Sequence, residues 1–380
     1  MRRTRFIYSV IMTVLFLSML LYSLLNDVFH YFSGPKVSYI ENRFMARKPV
    51  FDISFLDPYP GKYSKYFNDQ FPYRASLMAF HAGVISYSLF KKSPYPKKVD
   101  LGKDGWLFFA VEKPLYEGTF DLNNTQIAGI VSQIHQRADF FRKRGIGFYF
   151  TVPPTKEEIY PEFLPANYFR KKGKLVMDRI FDAFRKDSTI NFIDLCKPLL
   201  QAKKNGRLYF KTDHHWNSLG AYYAYLEIIN RMKMDFPQLK PLSRSDFTIE
   251  NPVIDGQNLA VSMDLAKYIK DEDVVVSIKK KQAVEGKKAG YKPRPDFIYP
   301  KEFEIVREIP GSNMPKIVII RDSYIYAMVP FLDETFAKTL YIYDTNVYGV
   351  NETVISKEKP DIVLIMIYEP HLINLIGLDF

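Results

Sequence analysis

The stretch Lys316-Ile317-Val318-Ile319-Ile320-Arg321-Asp322-Ser323-Tyr324 decides the fold class. Its apolar run is nearly all β-branched and reads as a buried strand, and the polar Asp322-Ser323 pair ends it just before a helical segment. A serine in that position stands at the carboxyl end of a strand, where open α/β sheets bind their ligands, and the N–H groups that follow could stabilise an oxyanion. The same rhythm continues toward the C-terminus, with a strand at Thr339 to Tyr343, a helix near Val354 and a strand at Ile362 to Tyr368. Toward the N-terminus, Ile127, Ile130, Val131, Ile134, Ala138 and Phe141 recur at helical spacing ahead of a strand, Gly145 to Val152, closed by Pro153-Pro154. A helix through Val176, Ile180 and Phe184 precedes a short strand at Ile190 to Leu195. A candidate strand at Arg207 to Phe210 then leads to a long helix through Ala221, Tyr222, Leu226 and Ile229, with Asn217 or Ser218 placed to cap it. Strands alternating with helices predict a mainly parallel sheet covered on both faces.

The densest chemistry lies in Lys211-Thr212-Asp213-His214-His215-Trp216-Asn217-Ser218, which holds two of the six histidines. Positions two apart in an extended segment face the same way, so Asp213 is placed to orient His215. A carboxylate that fixes an imidazole is the base half of a nucleophilic triad, and Ser323 is the candidate nucleophile. Three other readings compete. Asp213, His214 and His215 could bind a metal, although no HxH, HExxH or cysteine partner accompanies them. They could form a hydrogen-bonded structural cluster. Glu369-Pro370-His371 also sets a carboxylate two residues before a histidine, just after a buried strand.

The chain has 380 residues, 47% hydrophobic and 25% charged, which excludes disorder over its whole length. A single cysteine, Cys196, excludes an intramolecular disulfide framework and a cysteine-rich zinc site. The 53 Lys and Arg outweigh 42 Asp and Glu by +11, but the excess is localised. Arg2, Arg3 and Arg5 hold +3, and Lys279 to Lys301 carry 8 basic and 2 acidic residues. The remainder is close to neutral, so a nucleic-acid footprint is not indicated. The run of 19 uncharged positions from Ile7 to Leu25, behind the three arginines, has the length of a membrane span. Residues 1–32 are therefore expected to be an uncleaved anchor with its N-terminus in the cytoplasm, leaving the rest extracytoplasmic at the cell membrane. Residues 33–60 read as a stalk and 61–380 as one domain. An insertion at about 237–310, where the periodicity lapses, reads as a subdomain or long loop.

Asp213-His214-His215-Trp216 resembles the signature of the DHHW family of bacterial cell-surface proteins, similar to SGNH-hydrolase-like acetyltransferases of the alginate acetylation machinery. Further blocks agree in order: Asn68-Asp69-Gln70-Phe71-Pro72-Tyr73-Arg74, Gly102 to Phe108, Val152-Pro153-Pro154-Thr155-Lys156 with Tyr160-Pro161, and Arg321-Asp322-Ser323-Tyr324. The resemblance implies an SGNH-hydrolase-like three-layer α/β/α sandwich with Ser323 as nucleophile, His215 as base and Asp213 as its orienter. No cofactor and no metal is expected. The expected reaction is transfer of an acetyl group to a cell-surface or exported polysaccharide, with a multi-spanning membrane-bound O-acyltransferase as partner. An esterase with the same triad and a non-catalytic polysaccharide-binding subunit are the alternatives. Arg321 replaces the glycine of the usual Gly-Asp-Ser element. Asn346 and Asn351 are positional candidates for the second oxyanion donor. Arg321, Trp216, Tyr324 and Tyr160 are the candidate substrate contacts, the aromatic ones through stacking on sugar rings. The basic stretch from Lys279 is a candidate contact for anionic polysaccharide or lipid head groups.

Overall fold

The computed structural model describes residues 2–29, 37–38, 43–51, 53, 57–71, 74–89, 93–295, 297–345 and 347–376. The chain divides into two compact units, Met1–Lys91 and Lys92–Phe380.

The first unit begins with a helix over Arg2–Phe29 and continues through a two-stranded antiparallel ladder, Val37–Ser38 against Arg43–Phe44. Helices at Tyr59–Gln70 and Arg74–Gly83 complete it, the second running on into a π-helical turn at Val84–Leu89. Among the described residues no helix is long and apolar enough to cross a membrane.

The second unit is built on a seven-stranded sheet. In chain order its strands are β1 (Gly147–Val152), β2 (Phe192–Asp194), β3 (Val284–Glu285), β4 (Glu304–Glu308), β5 (Lys316–Arg321), β6 (Lys338–Tyr343) and β7 (Ile362–Met366). Across the sheet they run β3-β4-β6-β5-β7-β1-β2. The five strands from β6 to β2 are parallel, while β3 and β4 add antiparallel at one edge. The covering helices are α1 (Asn124–Arg142), α2 (Val176–Lys186), α3 (Ser218–Met232), α4 (Val329–Asp333) and α5 (Glu352–Glu358).

Alternation along the strands builds two cores. Tyr149, Ile193, Ile317, Ile319, Tyr341 and Leu364 pack with Tyr225, Ile228 and Ile229 of α3 on one face. Phe148, Phe150, Val318, Ile320, Leu340 and Ile365 pack with Ile134 and Phe141 of α1 and Ile180 and Phe184 of α2 on the other. This is the three-layer arrangement that two-faced burial of apolar strands requires. Each fully buried aliphatic or aromatic side chain contributes about 1.5–3 kcal/mol, so the central strands dominate stability.

Two local expectations change. Arg207 to Phe210 is not a strand of the sheet; only Tyr209 bridges, to Trp216, so the segment is one arm of a tight loop. The stretch from 237 to 310 is neither one loop nor wholly inserted. It holds two antiparallel ladders, Phe247–Glu250 with Val275–Ile278 and Val253–Asp255 with Lys270–Glu272, and it supplies β3 and β4 of the sheet itself. Lys279, Lys280, Lys281, Lys287 and Lys288 are exposed around the edge strand β3. Charge at such an edge discourages pairing with another chain.

Candidate active site

Four loops meet at the carboxyl edge of the parallel strands. β5 delivers Arg321, Asp322 and Ser323. β1 delivers Pro153 to Lys156, β6 delivers Thr345 and Tyr348, and β7 delivers Glu369 and His371. The loop before α3 brings Asp213 to Trp216. Its shape is fixed by the Tyr209–Trp216 bridge and by Asn217, whose Oδ1 accepts from the N–H groups of Leu219 and Gly220, both at 3.0 Å, capping α3. Gly220 is required for this approach, because a Cβ there would lie 2.3 Å from the carbonyl oxygen of Leu208.

The two ends of the sequence pattern come together. Asp213 Oδ1 lies 2.7 Å from His215 Nδ1 and also accepts the His215 backbone N–H at 3.1 Å. On the other side of the ring, His215 Nε2 lies 2.8 Å from Ser323 Oγ. Residues 108 positions apart thus form one hydrogen-bonded line. Burial pushes the Asp213 carboxyl up, but the charge and hydrogen bond of His215, with His214 adding to them, bring it net below the usual carboxylate range. Asp213 is thus an acceptor at neutral pH, which selects the His215 tautomer with Nδ1–H and leaves Nε2 free to accept the serine proton.

His214 serves a different purpose. Its ring lies 3.9 Å from that of His215 and 5.0 Å from that of Phe109. Burial first, and then the neighbouring His215, hold it well below the ordinary histidine range, so it is neutral. The ligand atoms of Asp213, His214 and His215 lie within 4.8 Å of one another, the spacing an ion would need. Both ring nitrogens of His215 are, however, taken up by Asp213 and Ser323.

Trp216 and Tyr324 lock the serine loop to the histidine loop. Trp216 Nε1 donates to the Tyr324 carbonyl at 2.8 Å, and Tyr324 Oη donates to the His214 carbonyl at 3.1 Å. Both rings are buried, and so is Tyr160, whose hydroxyl accepts from the Leu208 N–H at 2.8 Å. Arg321 is fully buried, with its guanidinium against the rings of Tyr326 and Tyr343 at 4.1 and 4.3 Å and donating to the carbonyls of Asp322 and Glu302. The four expected substrate contacts are therefore interior residues that hold the site in shape. The physical reason is that large aromatic and cation–π surfaces gain more from burial than from exposure beside water.

The oxyanion expectation is corrected in part. The first N–H after the serine, that of Tyr324, is already donated to Asp322 Oδ1 at 2.9 Å. Asn351 is exposed, and its Oδ1 caps α5 through Thr353 and Val354; Asn346 lies outside the described residues. Asp322 opens the helical segment after β5, where an acidic residue is a capping signal. Burial pushes its carboxyl up to about 6 against the opposing Tyr324 N–H. No motif in the sequence marks Tyr348. It holds a left-handed backbone at φ 51°, and its hydroxyl reaches Asp322 Oδ2 at 3.3 Å and His371 Nδ1 at 2.9 Å. Among the described residues His371 makes no carboxylate contact, and burial holds it down to about 4.

The fold is SGNH-hydrolase-like, an α/β sheet with an Asp–His–Ser line at its carboxyl edge. Residues 99–287 match the family model described as the SGNH hydrolase-like domain of acetyltransferase AlgX, a span that contains Asp213 and His215 and ends before Ser323. Among curated relatives, the probable alginate O-acetylase AlgJ of Pseudomonas aeruginosa is 31% identical over 143 residues, covering 36% of this chain and 33% of that protein. The protein of the same name from Azotobacter vinelandii is 25% identical over 163 residues, 42% of this chain and 39% of that protein. The chain thus spans a third to two fifths of the length of these relatives. Among solved structures, Bacillus cereus PatB1 with a sulfonyl adduct superposes with a TM-score of 0.52 at 21% identity, covering 74% of this chain and 98% of that one. It shares the fold.

Proposed function

We propose that this chain is an O-acetyltransferase that acts on a cell-surface or exported polysaccharide through an acetyl-serine intermediate. The observation that carries the reading is the hydrogen-bonded line Asp213–His215–Ser323. His215 Nε2 takes the proton of Ser323 as Oγ attacks the acetyl carbonyl carbon of the donor. The imidazolium, held by Asp213, returns that proton to the departing oxygen, leaving acetyl-Ser323. A sugar hydroxyl then gives its proton to His215 and attacks the acetyl group, and Ser323 leaves with the proton recovered from His215. The likeness to probable alginate O-acetylases supports a polysaccharide acceptor and favours transfer over hydrolysis.

The same reading places the protein at the cell membrane, held by residues 1–32, with Lys92–Phe380 outside the cytoplasm and a membrane-bound O-acyltransferase supplying the acetyl group. Support comes from the uncharged run Ile7 to Leu25 and from the large exposed side chains along its helix, among them Phe6, Met12, Leu15 and Phe16, which are costly to leave in water. The test is turnover of a chromogenic acetate ester by the full chain, with and without an exported polysaccharide acceptor. The expected result is Ser323-dependent release of the chromophore together with acetyl groups on the polysaccharide. Release without any acetylated glycan would make the protein an esterase, and equal rates for wild type and Ser323→Ala would remove the enzyme.

A further inference from the structure

Behind the Asp–His–Ser line lies a lysine to which the acyl-transfer chemistry assigns no role. Lys156 follows β1 through Pro153-Pro154-Thr155 and is fully buried. Its Nζ donates to three backbone carbonyls of the loop that carries the base: Phe210 and Lys211, both at 3.2 Å, and Asp213 at 2.5 Å. The remaining carbonyl of that run, Thr212, accepts from the N–H groups of Leu259 and Ala260. Asp271 fixes the other side of the loop, taking the Thr212 N–H at 2.8 Å and its hydroxyl at 2.7 Å. The rings of Trp106 and Phe108 stand 5.5 and 5.1 Å from the ammonium and exclude water from it.

An ammonium has three protons and no lone pair, and here three carbonyls receive them. We propose that Lys156 is the positioning residue of the base: by gathering the carbonyls of residues 210, 211 and 213 onto one cation it sets the backbone turn from which Asp213 and His215 reach Ser323. The proposal rests on the acyl-transfer reading above. Asp213 presents its carbonyl to Lys156 and its carboxylate to His215, so a shift of that peptide moves the orienting oxygen directly. Geometry at such a line must hold within about 0.5 Å for efficient proton transfer.

The arrangement has a pH consequence. Burial lowers the Lys156 ammonium to about 8, against the pull of Glu157, Asp213, Glu112 and Asp271; the neutral ring of His214 also lies close to it. Loss of one proton leaves two donors for three carbonyls and turns a lone pair toward a carbonyl oxygen. The loop is thus fully pinned below about pH 8 and partly released above it.

The test uses the full chain, the chromogenic acetate ester, and Lys156→Met and Lys156→Arg, with Tm followed separately. Lys156→Met, close in volume but without donors, is expected to lower kcat about 10- to 100-fold while KM stays within about twofold, the range found when a partner behind a functional ligand is removed. In wild type, kcat is expected to fall as pH rises through about 8. Lys156→Arg, charged at all these pH values, is expected to restore much of kcat and to lose that fall. A wild-type kcat that is flat from pH 7 to 9.5 overturns the proposal, even where Lys156→Met fails to fold. So does a Lys156→Met enzyme with wild-type kcat and only a lowered Tm. Ser323→Ala separates the two ideas: a wild type no faster than Ser323→Ala defeats the acyl-transfer reading, whereas Ser323-dependent turnover indifferent to Lys156 defeats this role alone.

Discussion

Two turns at the same edge of the sheet carry the same short pattern, a carboxylate two residues before a histidine, and they end in different chemistry. In Asp213-His214-His215 the carboxylate meets the imidazole at 2.7 Å and the other nitrogen reaches Ser323. In Glu369-Pro370-His371 the carboxyl and the ring part company, and His371 meets Tyr348 Oη and Thr345 Oγ1 instead. Backbone conformation makes the difference. Glu369 opens a 3-10 helix, Glu369–Leu375, in which residues two apart point roughly 240° apart around the axis. The Asp213 loop is bent back so that its residues 213 and 215 share a side. The protonation states diverge as well: Asp213 is held below the carboxylate range, whereas burial, reinforced by Glu158 and Glu157, raises Glu369 well above it.

The largest expected effects are on turnover. Ser323→Ala and His215→Ala should each lower kcat/KM for the acetate ester by about 1,000-fold or more, while His371→Ala should stay within about threefold. The reverse ranking of the two histidines would exchange the roles of the turns. Next come the carboxylates. Asp213→Asn should cost about 100- to 10,000-fold in kcat through the lost tautomer control, and Glu369→Gln about twofold at most, measured in the same assay.

Stability against pH should separate these carboxylates with opposite signs. Glu369 has a raised folded value, so its proton stabilises the fold below the unfolded value of about 4.3, a contribution lost as pH rises toward the folded value. Glu369→Gln should therefore raise Tm more at pH 8 than at pH 5. Asp213 has a lowered folded value, so its contribution is fully present above about 3.9 and lost only as pH falls through the folded value. The Tm difference between wild type and Asp213→Asn should be level from pH 5 to 8. Equal pH slopes for the two variants would contradict the protonation states assigned to the turns.

Smaller effects test the frame. Trp216→Phe removes the Nε1 bond to Tyr324 and leaves a small void; about 1–3 kcal/mol of stability should be lost in urea unfolding. Neutralising Lys279, Lys280, Lys281, Lys287 and Lys288 should leave Tm within about 1–2 °C and turnover unchanged, since all five are exposed. Binding to an anionic polysaccharide should then weaken, and only at low salt. Unchanged binding at low salt would leave these lysines as edge protection alone.

The sequence by itself determined the architecture and the residue types of the line. Runs such as Ile317 to Ile320 and Ile362 to Met366 are apolar at every position, and only a strand covered on both faces needs that. Asp213, His215 and Ser323 could be named because their residue types and edge positions suit a base and a nucleophile. Tertiary structure alone decided the rest. It chose His215 over His371, because a local pattern does not reveal which turn curls into a 3-10 helix. It turned Arg321, Trp216, Tyr324 and Tyr160 inward, because burial depends on which loops converge. It placed Lys156 beneath a loop more than fifty residues further along the chain. Periodicity is set by a residue's neighbours in sequence and can be read there, whereas the partners of a polar group at the sheet edge are set by the order in which parallel strands cross over.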